Sequence, residues 1–236
     1  MYQWSVFDLA FPWIGLAGAL VLLPLLFGTN LLRRNHDVSR WRDPAWLGWL
    51  LTVIYLIHNV EEYGIDALGH PHAFPTALCA QLGFQTYPNC VIPPVFYLFV
   101  NICAVWIAAP LCALLARRHP VFGVSMVGLT ATNGIVHLLP VLRGQGYDPG
   151  LLTAVVLFFP ITGWIVRACF GKGKLPYRAL IAILLAGILL HLCLMLPLLA
   201  YTHGLIGALT LNTIQALNPL WLIVLPWLAC GKHFDP

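Results

Sequence analysis

The chain has 236 residues, of which 60% are hydrophobic and only 8% are charged. In a soluble domain about a quarter of the residues are charged, so this composition cannot supply a water-facing surface. It excludes a globular cytoplasmic enzyme, a nucleic-acid-binding module and a disordered chain. The 12 Lys and Arg against 8 Asp and Glu leave a small positive balance, whose meaning depends on where these residues lie.

Seven apolar segments follow one another along the chain, and each is close to the roughly 20 residues that cross a bilayer as a helix. They lie at about 9–31, 44–63, 91–116, 120–142, 150–167, 178–199 and 204–230. Internal prolines are compatible with such spans because neighbouring helices in a membrane bundle satisfy the freed carbonyls. The sequence therefore predicts one all-α, polytopic transmembrane helix bundle over residues 1–236.

The basic residues divide unevenly between the two sets of predicted loops. All but Arg143 fall on one side, and basic loops face the cytoplasm. We therefore expect an external N-terminus and a cytoplasmic C-terminus, and the positive balance needs no nucleic-acid partner. The residues on the basic side are Arg33, Arg34, Arg40, Arg42, Arg117, Arg118, Arg167, Lys172, Lys174, Arg178 and Lys232.

Two of the seven cysteines, Cys79 and Cys90, share the predicted external loop 64–90. An oxidising compartment permits a disulfide between them. Two free thiols in the same loop are the alternative, and the sequence alone leaves both open.

Glu61 and Glu62 are the only glutamates, and they stand side by side inside the second predicted span. A carboxylate at membrane depth costs about 2.5–3.5 kcal/mol and indicates a function. Two adjacent carboxylates also repel, so one must be protonated, paired or bound to a cation. His58 shares a helix face with them, which fits a metal site, whereas a simple hydrogen bond from His58 to Glu62 is the structural alternative.

Three of the nine histidines, His58, His137 and His191, lie inside predicted spans. At 1.5 Å per residue they lie about 7, 9 and 13 Å from the external ends of the second, fourth and sixth spans. A lone buried histidine is usually an ordinary hydrogen-bonded core residue. Three at similar depth, together with the only two glutamates, predict a shared polar site in the external half of the bilayer.

Two amides accompany this predicted site. Asn133 stands one turn before His137 and can orient its imidazole, or make an ordinary interhelical hydrogen bond. Asn101 in the third span lies at comparable depth, where it either lines the same site or makes a hydrogen bond in helix packing. The external turn that begins at Tyr147 predicts a helix start capped by Asp148.

These residues form an ordered pattern: His58-Asn-Val-Glu61-Glu62, Asn133-x-x-x-His137, Tyr147-Asp-Pro-Gly-Leu151 and finally His191. The pattern resembles the HXXEE-domain family of integral membrane proteins and covers roughly residues 45–195. The resemblance implies a prokaryotic inner or plasma membrane protein with a metal-binding or catalytic constellation and no established general activity. Its motif carries over to His58, Glu61, Glu62, Asn133, His137 and His191. Met195 departs from the pattern, because it stands one turn after His191 where a polar partner is expected.

The first functional hypothesis is a membrane-embedded metalloenzyme that hydrolyses a lipid-soluble small molecule taken from the membrane. His58, His137, His191 and Glu62 would hold a divalent cation, and Glu61 would act as the general base. Zinc with an open coordination position activates water. Zinc is favoured and a single iron is the variant, because di-iron sites usually use four carboxylates.

Two other classes of function use the same residues. One is a metal-free acid–base isomerase or cyclase of an isoprenoid or sterol-like lipid. The other is a non-enzyme, either a proton-coupled transporter or a carrier of haem bound by His137 and His191. The absence of an inverted repeat in the sequence argues against a transporter, and the glutamates would have no role in a haem carrier.

Overall fold

The computed structural model describes residues 3–230 and is all-helical over them. Three π-helical segments, Val60–Gly64, Ile102–Ala108 and Ala154–Phe158, continue α2, join α4 to α5 and join α8 to α9. The helices are α1 (Val6–Gly28), α2 (Pro44–Asn59), α3 (Ala73–Gln81), α4 (Pro94–Asn101), α5 (Ala109–Leu115), α6 (Pro120–Gly123), α7 (Met126–Leu142), α8 (Leu151–Thr153), α9 (Phe159–Cys169), α10 (Tyr177–Thr202), α11 (Ala208–Leu217) and α12 (Trp221–Cys230).

Within residues 3–230, six helical stretches are long and apolar enough to cross a membrane, which indicates an integral membrane protein. They are Val6–Gly28, Pro94–Leu115, Pro120–Leu142, Leu151–Cys169, Tyr177–Thr202 and Ala208–Cys230. The predicted span 44–63 is helical as well but is not among the six, because His58, Glu61 and Glu62 lower the hydropathy of its second half. Nearly all residues of α2 are buried, so its surroundings are other helices.

Local sequence explains where the first two long helices begin. The Ser5 hydroxyl accepts the backbone N–H of Asp8, whose carboxylate accepts the backbone N–H of Ser5, a reciprocal cap. The Asp43 carboxylate caps α2 by accepting the backbone N–H groups of Ala45 and Trp46, and Pro44 follows at the first helical position, where a missing N–H costs nothing.

Two of the π-helical segments precede a proline. Ile102–Ala108 ends two residues before Pro110, and Ala154–Phe158 ends two residues before Pro160. A proline inside a helix removes one hydrogen bond and clashes with the carbonyl four residues earlier, and a wider turn relieves that clash. These stretches therefore stay continuous, as the sequence predicted for membrane spans.

Three loops meet at one end of the bundle, which we call the basic end: 29–43, 116–119 and 170–176. Arg117 donates to the carbonyl of Leu31 at 2.6 Å, and Trp164 in α9 donates to the carbonyl of Trp41 at 2.8 Å. The loops that follow Gly64 and Leu142 lie at the opposite end, where the Tyr147 hydroxyl accepts the N–H of Ala67. The basic residues of these loops thus share one end.

A disulfide joins Cys79 in α3 to Cys90, both in the segment that follows α2, and their Cα atoms are 6.0 Å apart. The structure thus has the bridge that the sequence left open. The bridge holds α3 against the opposite end of the bundle from the basic loops, next to Tyr63 and Tyr97.

Helices α7 and α10 touch backbone to backbone. A Cβ on Gly128 would lie 1.9 Å from the carbonyl oxygen of Ile183, and a Cβ on Gly187 would lie 2.0 Å from that of Gly128. Small residues allow such close helix contacts in membranes. This contact sets the distance between the helices that carry His137 and His191.

We predict that Gly128→Ala lowers the free energy of unfolding by about 1–3 kcal/mol, because the added methyl group forces α7 and α10 apart. Thermal unfolding of the purified chain in detergent measures the change. Gly163→Ala is the matched control, since a Cβ there meets nothing within 4 Å. Equal losses in the two variants would contradict the prediction.

Candidate metal centre

Three polar side chains from neighbouring helices meet inside the bundle. His58 near the end of α2, Glu62 in the π-helical segment after it, and His137 in α7 are each at most 3% exposed. Glu62 Oε1 lies 3.4 Å from His58 Nε2 and 3.2 Å from His137 Nε2. One ligand atom from each residue lies within 4.8 Å of the other two, so this group, which we call the triad, can hold a metal ion.

The outer nitrogen of each imidazole is held by a hydrogen bond. His137 Nδ1 donates to the Asp148 carboxylate at 2.6 Å. His58 Nδ1 lies 2.7 Å from the Thr153 hydroxyl oxygen, whose own proton is directed to Glu61, so the imidazole is the donor. With Nδ1 protonated, a neutral imidazole has its lone pair on Nε2. Both Nε2 atoms are buried without a hydrogen-bond partner and face Glu62.

Glu61 points away from the triad, towards the start of α8. Its Oε1 accepts the Tyr147 hydroxyl at 2.6 Å and the N–H of Leu152 at 2.9 Å. Its Oε2 accepts the N–H of Thr153 at 2.7 Å and the Thr153 hydroxyl. A carboxylate at a helix start is favoured by the free N–H groups and the helix dipole. Glu61 therefore anchors α8, and with it the Thr153 hydroxyl that contacts His58.

Tyr147 keeps its proton in this arrangement. Its burial, together with the hydrogen bond from its hydroxyl to Glu61, holds the pKa of Tyr147 above its ordinary value. The phenol therefore remains a hydrogen-bond donor over the whole physiological pH range.

Gly150 lets the backbone of the 143–150 loop press against both imidazoles. Its φ is +106°, and a Cβ there would lie 2.6 Å from His137 Cε1 and 2.8 Å from His58 Cε1. A side chain would be strained in this conformation and would displace both rings. The sequence predicted Asp148 as the helix cap, but Gly150 occupies that position, because the Asp148 carboxylate is held by His137 and by Gln81 Nε2 at 3.1 Å.

A cavity of about 200 Å³ lies against the triad, among α2, α4, α7 and α10, and Glu62 and His137 form part of its wall. Much of the remaining wall is aromatic or aliphatic, including Tyr55, Tyr63, Phe74, Phe96, Leu190 and Leu194. A molecule in this cavity would contact apolar side chains along its length and the triad at one point.

The other predicted site residues line the cavity without joining the triad. His191 lies on its wall, and its Nδ1 donates to the carbonyl of Gly187 at 2.9 Å. Asn133 also lies on the wall, while the partner of His137 is Asp148. Asn101 lies there too and donates to the Tyr97 carbonyl at 2.9 Å.

Sequence reasoning missed three residues that position the triad. The sequence predicted Asp148 only as the cap of the following helix and not as the partner of His137. Thr153 is an ordinary residue of an apolar segment, and Gln81 belongs to a loop whose path the sequence does not reveal. The Tyr147-Asp-Pro-Gly-Leu151 motif was the available signal, since three of its members, Tyr147, Asp148 and Gly150, contact Glu61 or the imidazoles.

We predict that Glu61→Ala lowers the free energy of unfolding by about 1–3 kcal/mol, because the buried N–H groups of Leu152 and Thr153 lose their acceptor. Glu62→Gln is the matched variant: the described contacts of Glu62 are with imidazole nitrogens, so we expect little loss in metal-free protein. Chelator-treated samples are compared by thermal unfolding in detergent. A larger loss for Glu62→Gln would contradict the assigned roles.

Comparison with protein families gives a match over the part of the chain that carries the triad. The family model described as "Protein of unknown function with HXXEE motif" matches residues 49–165. The match extends from α2 to α9, so it contains His58, Glu61, Glu62, His137 and the loop between α7 and α8. The searches of curated proteins and of solved structures give no match. Residues 49–165 are therefore a domain of the HXXEE family, a family of unknown function, and the chain belongs to that family through this domain.

Proposed function

We propose that the chain is a membrane-embedded metal-dependent hydrolase whose cation is held by His58, Glu62 and His137. The observation that carries this proposal is the convergence of three acceptor atoms in a buried place. Two imidazole lone pairs and one carboxylate oxygen face one another, and neither Nε2 has a hydrogen-bond donor. Such atoms repel unless a cation lies between them.

The spacing of the acceptor atoms fits a small divalent ion. Two ligands at about 2.0–2.1 Å from zinc in tetrahedral geometry lie about 3.3–3.4 Å apart. The two contacts of Glu62 Oε1, with His58 Nε2 at 3.4 Å and His137 Nε2 at 3.2 Å, agree with that value. Two histidines with one glutamate are also a ligand set of hydrolytic zinc sites, and of some iron sites. We therefore favour zinc, with iron as the alternative.

The charges around the triad support the same assignment. Glu62 and Asp148 are the buried carboxylates that contact the two imidazoles, and their two negative charges would match a divalent cation held by neutral imidazoles. A charge inside a protein needs such compensation, because the desolvation cost of an isolated ion is several kcal/mol. The Asp148–His137 hydrogen bond also follows the pattern in which a carboxylate orients a metal-binding histidine.

A divalent cation held by His58, Glu62 and His137 would supply the activation of water for attack on the substrate. The chain would supply the proton acceptor, for which the sequence favoured Glu61. Since both oxygens of Glu61 accept hydrogen bonds, we assign this role to His191 instead. Its Nδ1–H is held by the Gly187 carbonyl, so Nε2 of the neutral imidazole, on the cavity wall, is free to accept a proton.

The substrate that the cavity supports best is a lipid-soluble small molecule with a hydrolysable group. Apolar walls bind its chain, and the triad marks the place of the bond that reacts. We place this cavity in the external half of the membrane. The basic end would then face the cytoplasm, and the Cys79–Cys90 disulfide, near the opposite end, would lie on an oxidising side.

The first test is metal content. We predict that the chain purified without chelator holds one zinc or iron per molecule, measured by elemental analysis, and that His58→Ala and Glu62→Ala lose it. His191→Ala is the matched histidine variant and keeps the metal, since His191 lies outside the triad. Absence of stoichiometric metal from the folded wild-type chain would contradict the proposal.

The second test concerns the partners of the two imidazoles. We predict that Asp148→Asn weakens zinc binding by about 10–100-fold, because such partners orient the ring and raise its basicity. Thr153→Val removes the partner of His58 and lowers the affinity in the same direction. Competition with a fluorescent zinc chelator gives the dissociation constants. Wild-type affinity in both variants would show that the rings are positioned by other contacts.

The third test is hydrolysis itself. Acyl esters and acyl amides with alkyl chains of increasing length are offered in detergent to the zinc-loaded chain. We predict a rate above background that disappears in Glu62→Ala, and that falls in His191→Gln while its metal content stays unchanged. Equal rates for the wild type and Glu62→Ala on every substrate would argue against hydrolysis.

A further inference from the structure

A groove at the basic end is lined by positively charged side chains, of which Lys174 donates to the carbonyl of Arg167 at 3.1 Å. It runs between the loop before α2, the start of α6 and the loop that joins α9 to α10. Arg34 and Arg42 line it from one side and Lys174 from the other, with Pro44 and Pro120 between them. We call this feature the basic groove.

The arginines of the neighbouring loop differ in how their guanidinium groups are used. Arg33 donates to the side chain of Asn30 and to backbone carbonyls, and Arg40 donates to the carbonyls of Leu26 and Phe27. Within residues 3–230, the guanidinium groups of Arg34 and Arg42 have no such acceptor. Two guanidinium groups with five N–H donors each therefore face the groove unpartnered.

The carboxylate that lies closest in the sequence does not neutralise them. Asp43 is fully buried, and its oxygens accept the backbone N–H groups of Arg34, Asn35, Ala45 and Trp46. Asp43 also lines the groove, but it is buried and its oxygens are occupied by these backbone N–H groups. The exposed charge of the basic groove is consequently positive.

We propose that the basic groove binds the headgroup phosphate of an anionic membrane phospholipid, held by the guanidinium groups of Arg34 and Arg42. Planar guanidinium groups match phosphate oxygens in paired hydrogen bonds. The proposal is independent of the metal centre, which lies towards the other end of the bundle.

Two observations favour a lipid over a soluble phosphate as the source. Trp41 and Trp164 lie beside the loop and contact each other with ring centres 6.2 Å apart, and tryptophans mark the depth of lipid headgroups. The groove also has an apolar side, formed by Ala168 and Leu175. Basic pockets between the ends of membrane helices bind anionic headgroups in this way.

The experiment measures binding of short-chain lipids to the full chain in neutral detergent, from the rise of its melting temperature with ligand concentration. The ligands are dioctanoyl phosphatidylglycerol, dioctanoyl phosphatidylcholine, glycerol phosphate and inorganic phosphate. We expect phosphatidylglycerol to bind most tightly, and R34Q/R42Q to weaken its binding by roughly 25-fold, or about fivefold for each charge near a headgroup. Added salt should weaken the binding as well.

R118Q is the matched control, because it removes a positive charge from the same end but lies outside the basic groove. It should leave the lipid affinity unchanged. If R34Q/R42Q unfolds at a lower temperature without lipid, R42Q alone replaces it, since Arg42 is exposed, with an expected loss of about fivefold. Unchanged affinity in the arginine variants, an equal loss in R118Q, or inorganic phosphate that binds as tightly as phosphatidylglycerol would overturn the proposal.

Discussion

The carboxylate of Glu61 holds together the parts of the molecule that form the candidate site. It binds the backbone and hydroxyl of Thr153 and the hydroxyl of Tyr147, so the end of α2 is joined to the loop and helix that follow α7. The same loop supplies Asp148 to His137, and Thr153 contacts His58. Because one anionic anchor fixes the loop, both imidazoles have a fixed hydrogen-bond partner at Nδ1 and a fixed direction.

Glu62 is the exception among the buried carboxylates. Asp43, Glu61 and Asp148 each accept hydrogen bonds from backbone or side-chain donors, as buried charges require. Glu62 instead lies against the Nε2 atoms of two imidazoles, each of which makes a hydrogen bond through Nδ1 on the far side of its ring. In the proposed metal site a cation between these three side chains would compensate the charge of Glu62, and this contrast is the physical basis of the proposal.

The two ends of the bundle differ in the contacts and charges that they bring together. One end joins the disulfide-linked segment, the loop before α8 and the triad into a single hydrogen-bonded structure. The other end collects the basic loops and leaves two guanidinium groups facing a groove. The Gly128–Gly187 contact holds α7 and α10 together between these ends, so the walls of the cavity are set by backbone contacts rather than by the polar residues themselves.

The sequence by itself determined the helical membrane character, because apolar length and scarcity of charge depend only on composition. It also singled out His58, Glu62 and His137, since polar groups in apolar segments stand out at helical spacing. It could not distinguish the role of Glu61 from that of Glu62. It also could not assign Asp148 and Thr153 as partners of the imidazoles, because these contacts join residues more than ten positions apart. Only the tertiary structure decided them: the π-helical turn after α2 directs adjacent glutamates to different partners, and Gly150 brings the loop against both rings.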